Sequence, residues 1–379
     1  MLAQFFPSFI SHAAMRSGDF DDDGDDSSSY FRLPQMLKFS ESEFLALTGN
    51  FSSSNILDRG SFSTVYKGVF PDGNVVAVKK LELGRRELRP VRHKSFFTEL
   101  HVLGRIRHRN ILPVLGYFSN LDFMAVIVQF MPKGSLHSKL QQRHTYISLD
   151  WSKRYKIAVG VAQGLTYLHH NCKQQFVHCD LNPSNILLDD EFEAHIGNFG
   201  FAKAVEQQLR QKKRITSFLL MPGYTAPEVF LGEKPSPEAD VYSFGIVMLQ
   251  LLTRKSPTST EFGDGLTLRD WTKGALESGR WTDVLDPQLQ QELLCQDQML
   301  SVMEMAMSCC DELPEARPTM QTVTKFLVGL QDSNSLARFQ KSIDELITDS
   351  TPSWGTRKQK NSSFGTNSFT ASFTCESRS

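Results

Sequence analysis

Lys79 and Glu99 are two charged residues whose sequence positions point to a shared buried site. Lys79 closes the valine-containing run 76–79, which has the pattern of a strand. Glu99 follows Phe96 by three residues and precedes Leu103 by four, so a helix would place its carboxylate on the apolar face. Leaving either charge buried without a partner would cost roughly 3–5 kcal/mol, which favours an ion pair. Exposure of both side chains to water is the alternative that these two residues alone leave open.

A β-hairpin and a following helix are predicted to position this pair. The hairpin joins residues 65–70 to residues 75–79 through the turn-forming residues 71–74. Apolar residues at helical spacing predict a helix over about residues 94–107. The basic group before it is interpreted as a solvent-exposed connection. Its members are Arg85, Arg86, Arg89, Arg92 and Lys94.

Helical patterns dominate the chain after Gly134. Four apolar residues form one helical stripe: Ile157, Val161, Leu165 and Leu168. Residues 240–253 are apolar nearly all round, which predicts a helix enclosed by others. The sequence therefore predicts an α+β architecture, with a small β-rich lobe followed by a larger helical lobe.

Several short motifs occur in a fixed order along the chain. They are residues 76–79 (VAVK), Glu99, residues 108–110 (HRN), residues 178–181 (HCDL) with Asn185, residues 198–200 (NFG), residues 226–228 (APE), Asp240 and Arg317. In order and spacing they resemble the protein-kinase family, specifically the intracellular domains of plant leucine-rich-repeat receptor-like kinases, over about residues 40–332. The run 180–185 (DLNPSN) is similar to serine/threonine rather than tyrosine kinases.

The resemblance implies a bilobal protein-kinase fold over residues 57–332, with an N-lobe at 57–131 and a C-lobe at 132–332. It also implies an ATP site in which Lys79, held by Glu99, binds the α- and β-phosphates. The other positions implied for the nucleotide are Gly60 in the glycine-rich loop, Val65 and Ala77 around the adenine, Val128 as gatekeeper, and Gln129 to Met131 at the hinge.

The same resemblance assigns roles in the C-lobe. Asp180 would accept the proton of a substrate hydroxyl, and Asn185 would bind a metal ion. Asp240 is implied to brace the backbone of the catalytic loop. Glu228 and Arg317 are implied to form a buried ion pair.

Three positions depart from the family pattern in ways that remove contacts from the transfer site. Asn198 replaces the Asp of the Asp-Phe-Gly motif, and a neutral amide is a poor ligand for Mg²⁺. In the family pattern, a lysine stands two residues after the catalytic aspartate, and a threonine contacts both that lysine and the aspartate. Asn182 replaces the lysine here, two residues after Asp180, and Met221 replaces the threonine. If each lost electrostatic contact costs about 10²-fold in rate, losing two slows transfer by about four orders of magnitude.

The glycine-rich loop and the residue before Asp180 also differ from the family pattern. Only the middle glycine of three, Gly60, is kept, and Asp58 adds negative charge near the expected phosphates. Cys179 replaces an arginine, as in a subclass of active plant receptor kinases, and a buried inert thiol is expected there. Phosphates on Thr216 or Ser217 would therefore lack that arginine as a docking partner.

Composition limits the remaining possibilities. The 379 residues carry 41 Lys and Arg against 42 Asp and Glu, a net charge of −1 that argues against bulk nucleic-acid binding. The six cysteines include no CxxC pair, which disfavours a disulfide framework or zinc site. No membrane span or lipid anchor is recognised, so a cytoplasmic protein is expected, reaching the inner face of the plasma membrane only through a partner.

Both ends of the chain have the composition of tails. Residues 19–26 hold six aspartates in eight positions, which predicts an unfolded acidic tail over residues 1–38. Residues 39–56 resemble the juxtamembrane entry of receptor kinases. Residues 333–379 form a Ser/Thr-rich tail with no regular period.

Two functions remain open from the sequence. The preferred hypothesis is a catalytically impaired signalling protein, a pseudokinase, that binds another receptor-like kinase or a protein substrate and shifts its activity. The alternative is an ATP-dependent serine/threonine kinase that works slowly or under unusual metal conditions. ATP is a possible ligand under both hypotheses, whereas Mg²⁺ is expected to bind weakly or not at all.

Overall fold

The structure, a computed structural model, describes residues 36–60, 63–82, 84, 88–141, 149–205, 221–263 and 265–331. The aspartate-rich segment, Arg85, Arg86, Thr216, Ser217 and the Ser/Thr-rich tail lie outside the described residues. No helix among the described residues is long and apolar enough to cross a membrane.

The first part of the described chain is built on a six-stranded sheet. Its strands are β1 (Leu37–Lys38), β2 (Ile56–Arg59), β3 (Ser63–Val69), β4 (Val75–Glu82), β5 (Val114–Ser119) and β6 (Phe123–Gln129), in the order β1-β5-β6-β4-β3-β2. Strands β3 and β4 pair antiparallel, with Val65 opposite Lys79, which confirms the predicted hairpin. Gly73 takes a positive φ of 87° in the connecting turn, where a residue without Cβ avoids strain.

A segment before the hairpin covers one face of this sheet. Strand β1 pairs parallel with β5, and helix α1 (Glu41–Thr48) follows with a capping box between Ser40 and Glu43. Phe39 and Phe44 are buried in an aromatic cluster with Phe70, Phe118 and Phe123, among others. Residues 39–56 therefore contribute to the hydrophobic core of the sheet.

Helix α2 (Arg89–Arg105) packs beside the sheet and begins earlier than the predicted start near Lys94. Pro90 lies in its first turn, where the missing N–H of proline has no helical partner to lose. Arg89, Arg92 and Lys94 are therefore helical, and their interpretation as a connecting loop is wrong. Arginine and lysine are good helix formers, so their basic character did not exclude the helix.

The second part of the chain is mainly helical. Its helices are α3 (Leu136–Gln141), α4 (Trp151–Thr166), α5 (Pro227–Phe230), α6 (Pro237–Thr253), α7 (Leu268–Glu277), α8 (Gln296–Cys309) and α9 (Met320–Gly329). Its short strands are β7 (Gly134–Ser135), β8 (Phe176–Val177), β9 (Ile186–Leu188), β10 (Ala194–Ile196) and β11 (Lys203–Ala204). Residues 239–253 of α6 are all buried, and so are the four stripe residues assigned to α4 and the turn after it. These observations confirm a β-rich lobe followed by a helical lobe, the predicted α+β architecture.

Candidate functional site

Lys79 and Glu99 meet between the sheet and α2. Strand β4 directs Lys79 toward the helix, and its Nζ lies 3.2 and 2.9 Å from the two Glu99 carboxylate oxygens. The Glu99 side chain is only 4% exposed and that of Lys79 is 20% exposed, so the expected buried pair is present. The third hydrogen bond of the ammonium goes to Asn198 Oδ1 at 2.7 Å. An ammonium group has three N–H donors, so these contacts engage all of them.

Asn198 links this ion pair to the loop that contains Asp180. It precedes the 3₁₀ turn Phe199–Phe201 and takes a left-handed backbone conformation, φ 63° and ψ 61°, which asparagine tolerates better than most residues. Its Nδ2 donates to Asp180 Oδ2 at 3.2 Å and to Asn185 Oδ1 at 3.0 Å. Because Lys79 can only donate, the amide oxygen must face it, and the NH₂ group must face Asp180 and Asn185.

The carboxylate of Asp180 also accepts hydrogen bonds from its own loop. Asn182 Nδ2 lies 3.1 Å from Oδ1, and Asn185 Nδ2 lies 3.0 Å from Oδ2. Burial raises the pKa of Asp180 above its ordinary value, and the charge of His178, the amide hydrogen bonds and Lys79 offset only part of this rise. The pKa of this carboxyl therefore lies closer to that of a general base than the pKa of an exposed aspartate does.

Asp240 fixes the backbone leading into Asp180. It lies in the first turn of α6, and its Oδ2 and Oδ1 accept the amide N–H groups of His178 and Cys179 at 2.7 and 3.0 Å. His169 Nε2 lies 2.9 Å from Asp240 Oδ2, a contact that the sequence interpretation missed. The sequence does indicate that His169 is buried, because His169 follows the buried Leu165 by four residues and so continues its apolar helical stripe.

Two further sequence expectations concern Cys179 and the pair formed by Glu228 and Arg317. Burial raises the pKa of the Cys179 thiol well above its ordinary value, which disfavours the reactive thiolate and agrees with an inert thiol. Arg317 donates Nη1 to Glu228 Oε1 at 2.7 Å and Nη2 to Glu228 Oε2 at 2.9 Å. The expected buried ion pair is therefore present and bidentate.

Comparisons with known proteins identify the fold family. The profile of the protein kinase domain matches residues 51–326. The chain belongs to the protein kinase family. A receptor-like serine/threonine-protein kinase of Arabidopsis thaliana is 39% identical over 300 residues, which cover 78% of this chain and 82% of that relative.

Two larger relatives from the same plant give a similar result. A probable leucine-rich repeat receptor-like protein kinase is 37% identical over 327 residues, covering 84% of this chain and 29% of the relative. Protein BRASSINOSTEROID INSENSITIVE 1 is 35% identical over 306 residues, covering 79% of this chain and 25% of the relative. The chain therefore resembles the kinase domains of plant receptor-like kinases and spans less than a third of these two relatives.

The orientation of the Asn198 amide bears on whether this loop could hold Mg²⁺. Protein kinases hold Mg²⁺ with the Asp-Phe-Gly aspartate and the catalytic-loop asparagine, positions that the sequence resemblance assigns to Asn198 and Asn185. The only side-chain oxygen of Asn198 accepts from the Lys79 ammonium, and its NH₂ group is directed at the oxygen of Asn185. Magnesium requires oxygen ligands, so this donor set does not fit it. Within the described residues, no group of three or more His, Cys, Asp and Glu could hold a metal ion.

The residues implied for the adenine lie together at the junction of β4 and β6. Ala77 pairs with Val128 across these strands, and both are buried, as is Met131 just beyond β6. Gln129 is exposed, and its N–H donates to Pro113 at 3.1 Å. The N–H of Gln129 is therefore engaged within the protein and is not free for the predicted hinge contact.

Gly60 of the glycine-rich loop and Met221 each make a local backbone hydrogen bond. Val65 is half-buried in β3, and Gly60 N–H donates to Ser63 O at 2.8 Å. Met221 is 41% exposed and lines a cavity together with Asp180. Its backbone N–H donates to Thr225 Oγ1, so Met221 stands outside the network of asparagine hydrogen bonds.

Proposed function

We propose that this protein is a catalytically impaired kinase-fold signalling protein that binds a partner kinase or a protein substrate and shifts its activity. The observation that carries the proposal is the Asn198 amide, which donates to Asp180 and Asn185 and accepts from Lys79. These contacts give Lys79, Asp180 and Asn185 hydrogen-bond partners within the protein, without Mg²⁺. A site of this kind supports binding better than phosphoryl transfer.

The size of the expected defect follows from the charges that are missing. Asn198 removes a carboxylate and Asn182 removes a cation at the place where charge develops during transfer. At about 10²-fold for each contact, a kinase that normally turns over about 1–100 times per second would slow by about four orders of magnitude. Effects within one site are not strictly additive, so this product is an order of magnitude for the combined loss.

The chain keeps the contacts that hold the kinase fold together, although it lacks the charges that the family carries at positions 182 and 198. Asp240 braces the loop backbone, and Arg317 pairs with Glu228. These contacts support a role that depends on an ordered surface. The receptor-like names of the relatives support a receptor-like kinase as partner, which would bring the protein to the inner face of the plasma membrane.

An ATP-dependent serine/threonine kinase is the second candidate. It is supported by the intact Lys79–Glu99 pair and by Asp180 with its raised pKa, which are the nucleotide-holding and base positions of the family. ATP is a possible ligand in both proposals. In the structure, however, a phosphate would have to displace Asn198 or Glu99 from the Lys79 ammonium.

Phosphate transfer separates the two proposals. The chain is incubated with radiolabelled ATP and either Mg²⁺ or Mn²⁺, beside an Asp180→Ala control. We expect no incorporation above the control. Incorporation that Asp180→Ala abolishes would support the active kinase instead.

A triple reversion tests whether the altered positions cause the defect. Combining Asn198→Asp, Asn182→Lys and Met221→Thr should restore transfer, because these changes return the missing metal ligand, cation and hydroxyl. A folded triple variant that stays inactive would show that the defect lies elsewhere.

A further inference from the structure

A group of basic side chains lies where helix α2 ends. Arg105 closes the helix, Arg107 and Arg109 follow it in the turn before β5, and Lys173 follows the π-helical turn Tyr167–Asn171. We call these four residues the basic cluster. All four are exposed.

Direct contacts bring the two parts of the basic cluster together. Arg105 Nη1 donates to the side-chain oxygen of Gln174, the residue after Lys173, at 3.3 Å. The backbone N–H of Arg107 donates to the Tyr167 hydroxyl at 3.2 Å. The cluster is therefore one continuous surface formed by the end of α2 and the segment after α4.

The charge of this surface is only partly neutralised. Glu193 lies 3.1 Å from Arg109 and forms an ion pair with it. Arg105 and Arg107 donate instead to neutral oxygens, those of Gln174 and of the Leu103 and Ile106 carbonyls. Within the described part of the chain, no carboxylate forms an ion pair with Arg105, Arg107 or Lys173.

The positive charge of the basic cluster helps to lower the pKa of two neighbouring histidines. The pKa of His101 is lowered first by burial and then by the charge of Arg105. The pKa of His108 is lowered first by burial and then by the charge of Arg109. A positive potential at this surface favours an anionic partner.

The chain itself supplies an anionic segment that can reach this surface. Leu37 pairs with Gly116 in parallel β1 and β5, so the chain enters β1 at the same end of the sheet at which it enters β5. The turn containing Arg107 and Arg109 lies before β5 at this end. Asp26 precedes residue 36, where the described chain begins, by ten positions. Ten residues can extend to about 33 Å.

We propose that the aspartate-rich segment, residues 19–26, docks on the basic cluster of the same chain. The segment carries six aspartates, which complement the cations that lack a carboxylate partner. Tethering by a short linker gives the segment a high local concentration at the cluster. Docking would place the tail at the end of α2, the helix that carries Glu99. The contact is electrostatic and exposed, so salt weakens it.

Zero-length carbodiimide cross-linking of the full chain tests this contact, because it joins a carboxylate to a lysine only where the two touch. At low salt we expect cross-links from residues 19–26 to Lys173, lost at about 0.5 M NaCl. Lys273, which is 54% exposed and lies near Glu277 on α7, is the comparison lysine and should give none to this segment. Equal cross-linking of Lys173 and Lys273 would overturn the proposal.

A charge variant and an isotope mixture complete the test. Arg105→Gln should lower the yield at Lys173 about fivefold, whereas the matched exposed variant Arg280→Gln should leave it unchanged. Circular dichroism melting checks that both variants are folded. An unchanged yield in folded Arg105→Gln would contradict the proposal. In an equimolar mixture of isotopically light and heavy chains, mixed pairs making up about half of the cross-links, the proportion for random pairing between chains, would assign the cluster to a second copy and would also overturn it.

Discussion

Three asparagine side chains surround the carboxylate of Asp180, and each presents an amide N–H to it. The distances are 3.1 Å from Asn182, 3.0 Å from Asn185 and 3.2 Å from Asn198. All three donors are neutral, so they hold the carboxylate in position by hydrogen bonds without cancelling the rise that burial causes in its pKa.

This arrangement predicts a pH dependence for Asp180→Asn. The folded-state pKa of Asp180 is raised, so the folded chain binds its proton more tightly than the unfolded chain. The folded state therefore loses stability as pH rises from about 4 through the raised pKa. The variant removes that loss, so its melting temperature relative to the unmodified chain should increase from about pH 4 to pH 7. A difference that stays constant across this range would contradict the assignment.

Asp189 provides a control of the opposite sign. Burial alone would raise its pKa, but the amide of Glu193, the ring of His195 and the amide of Glu191 together hold the pKa below its ordinary value. The stability from Asp189 is present above the unfolded pKa and is lost as pH falls through the folded one. Asp189→Asn should therefore be most destabilising near neutral pH, and its effect should shrink on acidification.

At the scale of elements, one ion pair joins α5 to the segment that precedes α9. The Arg317 guanidinium is fully buried and contacts both Glu228 carboxylate oxygens. It also donates to the carbonyls of Asp311 and Glu238. Loss of the carboxylate would leave a buried guanidinium without a counter-charge.

Glu228→Ala should therefore lower the free energy of unfolding by about 3–5 kcal/mol, measured by urea denaturation. Glu233→Ala changes an exposed glutamate of the same region and should stay within about 0.5 kcal/mol. Equal effects of the two variants would show that the pair does not stabilise the fold.

The elements around the site follow from sequence patterns to different degrees. The hairpin that carries Lys79 and the inward face of α2 at Glu99 follow from alternation and helical spacing. The start of α2 does not, because the basic residues before Phe96 suit both a loop and a helix. The amide orientation of Asn198 could not be predicted either. It depends on a left-handed backbone and on a lysine 119 positions away in the sequence.

At the scale of the whole molecule, the segment before the hairpin is part of the folded kinase domain. Phe44 in α1 is fully buried, and its ring centroid lies 5.5 Å from that of Phe118 in β5, with the two ring planes tilted by 41°. Phe39 lies edge-on to Phe44, with the two ring centroids 5.8 Å apart. The sequence resemblance identified this segment, but its packing depends on aromatic residues from distant strands, which local patterns do not pair.

Phe44→Ala should cost about 3–5 kcal/mol of unfolding free energy, because it leaves a cavity in this aromatic cluster. Phe230→Ala removes an equal volume from a side chain that is 67% exposed, and should change stability by less than about 0.5 kcal/mol. Chemical denaturation of both variants measures the difference. A small effect of Phe44→Ala would mean that the N-terminal segment is not part of the cooperative fold.

We propose that Asn198 prevents Mg²⁺ from strengthening the binding of ATP in the cleft. A thermal shift titration with ATP, with and without Mg²⁺, tests this claim most directly. In the unmodified chain we expect Mg²⁺ to add nothing to any stabilisation by ATP. In Asn198→Asp, a tenfold gain in ATP affinity on adding Mg²⁺ would raise the melting temperature by about 2 °C more than ATP alone. A rise with Mg²⁺ in the unmodified chain as large as in Asn198→Asp would contradict the claim.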